Sequence, residues 1–228
     1  MAEIQTIQHS PALGVERNRV LRNTYWLLGL SLIPTAIGAL VGMQFSWTFL
    51  QTNPILFAFG FLGVFYGMIF AIEKNRDSSV GVFLLLGFTF LMGVMLAPLL
   101  KVALGLSNGG QLVALAAGGT GAAFFGLSAV ATTTKRDFGF LGNFLMVGVL
   151  IAIVAIVANI FLASPVLHLT LCAVIMLLSA GLILWQLNAI VRGGETNYVS
   201  ATLTLYISVY NLFTTMLQLL MAFAGNRE

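Results

Sequence analysis

The sequence predicts an all-α integral membrane protein of seven transmembrane helices, with the N-terminus in the cytoplasm and the C-terminus outside. Three observations predict it. Of the 228 residues, 59% are hydrophobic and only 7% are charged, against about 25% charged in a soluble domain. The apolar residues fall in seven runs, each near the roughly 20 residues that a spanning helix needs. The basic residues alternate with those runs. Arg17, Arg19 and Arg22 flank the first, Lys74 and Arg76 follow the second, Lys135 and Arg136 follow the fourth, and Arg192 follows the sixth. With seven spans all of these share one side, and the other side holds Lys101 and Arg227. The positive-inside rule then sets the orientation.

The expected spans are 20–43, 54–72, 79–99, 110–132, 140–163, 166–190 and 200–223. They make one transmembrane domain, 20–223, behind a flexible cytoplasmic tail, 1–19. The tail carries Gln, Ser and Pro11 with few apolar residues, a composition that buries too little to order itself. It does not read as a cleavable signal, because the apolar run after it is too long for a signal core. The single Cys172 permits no internal disulfide. No basic patch is dense enough to hold a nucleic acid, so the net charge of +3 reflects topology; the expected surroundings are the lipid bilayer.

In the first helix Tyr25 and Trp26 are expected as interfacial anchors, and Pro34 as a kink. Gly38 with Gly42, and Gly63 with Gly67 in helix two, are small-xxx-small pairs that predict close helix packing. Glu73-Lys74-Asn75-Arg76-Asp77 is a charged connector, and Pro98 reads as a stop or kink near the end of helix three. Gly118-Gly119-Thr120-Gly121 in helix four lacks the preceding strand and later acid of a nucleotide loop, so helix packing is expected there too. Thr132 to Asp137 forms the turn into helix five, and Ser164-Pro165 breaks the chain before helix six.

The most patterned stretch is the last helix pair. Helix seven carries Thr204, Ser208, Asn211, Thr215 and Gln218, spaced so that all five lie on one face. Cys172, Ser179 and Gln186 repeat every seven residues on helix six. Polar groups in hydrocarbon must face protein or water, so these stripes should meet each other or a cavity. Two readings stay open. The seam is structural glue, with hydroxyls bonded back to their own helix, or it lines a water-filled conduction route.

The chemistry that is missing narrows the function. No Asp, Glu, Lys or Arg falls deep in a predicted span, so paired-acid catalysis and a carboxylate proton relay are not expected. His9 and His168 lie on opposite sides, too sparse for a metal site. Cys172 and His168 are one turn apart without a third orienting group. The chain is expected to have no catalytic, cofactor or metal residues and not to be an enzyme.

Gly193-Gly194-Glu195-Thr196-Asn197-Tyr198, followed by Ala201-Thr202-Leu203 and Leu205 through Phe213, resembles the C-terminal signature of the Bax inhibitor-1 family, in its bacterial branch. Val20 to Tyr25, Thr133 to Asp137, Phe140-Leu141-Gly142 and Val157 to Leu162 are similar to that branch as well. The resemblance implies seven helices with the seventh central, a bacterial inner membrane and a periplasmic C-terminus. It implies a modulator, and substrate, of the membrane-anchored AAA protease FtsH, associated with HflK/HflC. Calcium-leak members of the wider family carry an aspartate on each of the last two helices. The matching positions here are Gln186 and Ser208, which do not ionise; a hydrogen bond between them would pin the two helices together.

Two functions follow as expectations. One is a binding protein that occupies FtsH through its cytoplasmic tail, with loops 73–77 and 133–139 as candidate contacts. The other is a calcium or other ion leak along the helix-seven seam, which the absent aspartates put in doubt.

Overall fold

In the computed structural model, residues 11–48, 52–134 and 136–225 are described. They form α1 (Pro11–Gly42), α2 (Pro54–Lys74), α3 (Ser79–Leu104), α4 (Gly109–Thr133), α5 (Phe140–Leu162), α6 (Pro165–Arg192) and α7 (Tyr198–Gly225). All seven are long and apolar enough to cross a membrane. Residues 1–10 with His9, Lys135, and 226–228 with Arg227 lie outside the described residues.

The helix limits follow local chemistry. Proline opens α2 and α6, where its missing N–H costs nothing. Ser164 caps α6 by accepting from the Leu167 N–H at 3.3 Å. Gly193 ends α6 at φ 78°, a left-handed turn suited to a residue without Cβ. Ala163 ends α5 in the same region at φ 47°, where a Cβ makes the turn less favourable.

Three expectations shift. The first helix starts at Pro11, so 11–19 are helical; Glu16, Arg17 and Arg19 favour helix without being apolar. Pro98 does not stop α3, which continues one and a half turns to Leu104. Gly63 and Gly67 pack against nothing within 4 Å of an added Cβ, because α2 lies at the rim with little of its length buried.

The pair Gly38 and Gly42 does what its spacing predicts. A Cβ on Gly38 would lie 2.1 Å from the Phe90 carbonyl oxygen, and one on Gly42 would lie 2.6 Å from that of Val94. From the other side, a Cβ on Gly93 would lie 2.0 Å from the Thr35 carbonyl oxygen. α1 and α3 thus touch backbone to backbone. α7 packs against α1, α2, α3, α4 and α6, and α5 packs against α6 from outside. The core gathers Phe88, Tyr206, Ile183, Leu187 and Leu205, with a smaller cluster of Ala103, Leu112, Ala116 and Leu217 toward the other end.

One end of the bundle collects the polar connectors. Asn197 Oδ1 accepts from the Val199 and Ser200 N–H groups and so caps α7, while its Nδ2 donates to the Arg76 carbonyl at 3.2 Å and to Asp77 Oδ1 at 2.8 Å. Ser200 donates to Glu73 at 2.8 Å. Asn188 on α6 holds the α4–α5 turn through the Phe138 N–H at 3.0 Å and the Arg136 carbonyl at 3.2 Å. Arg76, Arg136 and Arg192 therefore share this end. Lys101 lies at the opposite one, donating to the Phe45 carbonyl at 2.8 Å.

Candidate functional site

Helices α6 and α7 pack along their length, and Cys172 of the α6 stripe shares a cavity with Asn211, Thr215 and Gln218 of α7. Cys172, Ser179 and Gln186 are all buried on α6, as are Ser208 and Thr215 on α7. The seam then divides into two halves of different character.

The half toward the basic end is closed. The Ser208 hydroxyl donates to the Thr204 carbonyl of its own helix at 2.8 Å. Such back-bonding satisfies a hydroxyl in hydrocarbon without a second helix. No hydrogen bond joins Ser208 to Gln186, so the expected pin between the two positions is not made. Gln186 Nε2 is buried without a partner. Leu205 and Leu212, one turn to either side of Ser208, are fully packed.

The other half is open. A cavity of about 330 Å³ lies between α5, α6 and α7, lined by Asn159, His168, Cys172, Asn211, Thr215 and Gln218 among others. His168 Nε2 is 2.9 Å from Gln218 Oε1, and the Cys172 thiol is 3.8 Å from the same nitrogen. The Thr215 hydroxyl donates to the Asn211 carbonyl at 2.7 Å, and Gln218 Nε2 donates to the Thr214 carbonyl at 3.1 Å. The Asn211 side chain lines this cavity as well. The seam is closed and back-bonded at Ser208 and opens into a cavity beyond Asn211.

The signature loop is architectural. Gly194 N–H donates to the Ala189 carbonyl at 2.8 Å, and Asn197 N–H donates to Glu195 Oε1 at 2.8 Å. Gly193, Gly194, Glu195, Thr196 and Asn197 thereby reverse the chain between α6 and α7, and Tyr198 packs against the core. In the Gly118-Gly119-Thr120-Gly121 run, Gly119 alone abuts a neighbour, Met216 of α7.

A second polar cluster was not foreseen from the residue pattern. The Tyr206 hydroxyl lies 2.8 Å from Thr35 Oγ1 and donates to the Thr89 carbonyl at 3.3 Å. The Tyr210 hydroxyl donates to the Met92 carbonyl at 3.2 Å. Tyr25 and Ser128 share a hydrogen bond between α1 and α4. The available signal was the spacing of Tyr206 and Tyr210, one turn apart on the face of α7 away from α6, where a phenol in hydrocarbon requires a partner. Among the described residues no three His, Cys, Asp or Glu side chains come together.

Comparison with known proteins adds what geometry does not. Residues 17–225 match the family model Bax1-I, inhibitor of apoptosis-promoting Bax1. The chain is 39% identical over 220 residues to the modulator of FtsH protease YccA of Escherichia coli K12, covering 96% of this chain and 97% of that protein. A protein of a second Escherichia coli strain, with the same identity and coverage, bears the name inner membrane protein YccA. A protein of Neisseria meningitidis serogroup A is 45% identical over 214 residues, covering 92% of this chain and 94% of its own.

Proposed function

The chain belongs to the Bax1-I family, inhibitor of apoptosis-promoting Bax1, and on that footing we propose that it is an inner-membrane modulator, and substrate, of an FtsH-type membrane-anchored protease. The observation that carries this reading is 39% identity to a named FtsH modulator over 96% of the chain. The multi-pass helical bundle and the name inner membrane protein given to a relative support the same location.

The mechanism we infer is occupancy, without catalysis by this chain. The basic end faces the cytoplasm, following the positive-inside rule. There the segment ahead of α1 gives the protease an end to grip, since chain termini are where proteolysis starts. Arg76 of loop 73–77 and Arg136 of loop 133–139 are both held at that end. A tightly packed bundle resists extraction, so an engaged protease is held away from other membrane substrates. The protease's HflK/HflC partners belong to the same assembly.

Co-purification from native membranes tests the partner. A tagged chain should bring down FtsH with HflK/HflC and should live longer in cells without FtsH. Deleting residues 2–12 should prolong its lifetime while leaving the bundle intact. A deletion form that disappears as fast as the full chain would refute the tail mechanism.

The vestibule favours a second reading, an ion leak. It reaches Asn211 but then meets packed Leu205, Ser208 and Leu212, and neither Gln186 nor Ser208 carries a charge to gate it. Liposome flux that is the same for the parent, Asn211→Leu and empty vesicles would eliminate the leak.

A further inference from the structure

A cavity of about 740 Å³ lies on the side of α7 away from the polar seam, walled by α1, α3, α4 and α7. That volume is within the ~300–1,000 Å³ of small-molecule sites. Three features indicate what it holds. First, its mouth is lateral. α1 and α4 meet through Tyr25, which bonds Ser128 and stacks edge-on against Phe124. Beyond that contact the wall is open, with Leu32 about half exposed and Phe125 exposed at the rim. In a membrane this mouth gives onto hydrocarbon. Second, its polar groups are largely spent. Tyr206, Tyr210 and Tyr25 turn their hydroxyls to Thr35, Thr89, Met92 and Ser128, so the walls present an occupant with carbon. Third, two of the residues that line it are glycines with room beside them. A Cβ on Gly29 of α1 or on Gly121 of α4 would meet nothing within 4 Å.

From these we infer that the cavity seats one acyl chain of an anionic phospholipid whose phosphate rests against Arg22. The length fits. Tyr25 to Ala39 spans 14 residues of α1, about 21 Å at 1.5 Å per residue, comparable to a fatty acyl chain. The charge fits as well. Arg22 is exposed, two turns from Gly29 on the same stripe of α1, on the basic side of the exposed Trp26. A guanidinium there meets a phosphate at headgroup depth. Moving a lipid tail from bilayer to cavity gains no hydrophobic free energy. Retention comes from filling a void whose walls otherwise lack contacts, and from the phosphate–guanidinium pair. Thr120 Oγ1 lines the cavity region without a partner; an acyl chain leaves it so, a local cost against the wall area covered. This site is independent of the protease reading.

Native mass spectrometry of the full chain, exchanged into micelles doped with phosphatidylglycerol or with phosphatidylcholine, tests it. One phosphatidylglycerol per chain should survive conditions that strip the others. Gly29→Leu and Gly121→Leu, which add bulk at the α1 and α4 walls, should each lower that retained fraction about tenfold. Gly63→Leu, at an equally open glycine outside the cavity, should leave it unchanged. Arg22→Gln should erase the preference for phosphatidylglycerol over phosphatidylcholine. If either filling variant runs as an aggregate, bromine-labelled acyl chains in the parent protein supply the same answer, by quenching Trp26 more strongly than Trp47. Equal retention in the parent, Gly29→Leu and Gly121→Leu, or equal quenching of the two tryptophans, would overturn the proposal.

Discussion

Where α1 crosses α3, the helices touch through what their side chains lack; where α6 meets α7, they touch through polar side chains. Gly38, Gly42 and Gly93 bring main chains to distances that exclude even a Cβ. Cys172, Ser179, Gln186 and the α7 stripe instead leave an orphan amide on one half and a 330 Å³ vestibule on the other. The first contact has a single solution and fixes the bundle. The second leaves a cavity and an unpaired amide, which makes it adjustable. Interhelical polar contacts average only about 0.6 kcal/mol each in membranes, so the seam sets register more than it sets stability.

Substitutions can break this contrast, beginning with the largest effect. Gly93→Val drives a side chain into the Thr35 carbonyl, and backbone does not yield as a side chain would. It should cost about 3 kcal/mol or more, seen as loss of the monodisperse gel-filtration peak. Gly63→Val, the same change at an unpacked glycine on α2, should keep that peak; a comparable loss there would erase the distinction between the packed and the unpacked glycines.

The next change runs in the opposite direction. Gln186→Leu removes a buried amide nitrogen that has no partner, a group whose desolvation costs about 1–3 kcal/mol. The melting temperature should rise. A fall would mean that this amide is satisfied in the working protein, by water or by the partner helix. Tyr206→Phe then removes the hydroxyl that ties α7 to Thr35 of α1 and Thr89 of α3. It should cost between about 0.6 and 1.7 kcal/mol, read as a modest drop in melting temperature. No drop would make the cluster ornamental and leave α1, α3 and α7 held by shape alone.

The smallest effect belongs to the exposed ends. Arg192 and Asp137 approach to 3.9 Å with both side chains well solvated. Asp137→Asn keeps an oxygen for the Gly139 N–H, so it should change stability by less than about 1 kcal/mol, measured in low and high salt.

The spans were readable because a hydrocarbon slab demands about 20 apolar residues, and proline, glycine or charge marks each end. α1 shows where that logic stops. Its first turns lie among Glu16, Arg17 and Arg19, where helix needs no apolar run and hydropathy is silent. The glycine pairs show a second limit. Gly38/Gly42 and Gly63/Gly67 have the same spacing, but only the first meets a partner, since spacing permits a close approach without naming the helix that makes it. The seam's face was legible from its periodicity. Its division into a closed and an open half was not, because that depends on where α5 stands, and α5 carries no polar stripe of its own. The tyrosine cluster was hidden for a similar reason: Tyr206 and Tyr210 donate to the main-chain carbonyls of Thr89 and Met92 on α3, and these leave no trace in residue identity.

The central claim, that this chain occupies a membrane protease, is tested most directly in proteoliposomes holding purified FtsH and a labelled unrelated membrane substrate. The account predicts that adding the full chain in excess slows loss of the label, and that the form lacking residues 2–12 does not. Loss of the label at one rate in all three samples would contradict it.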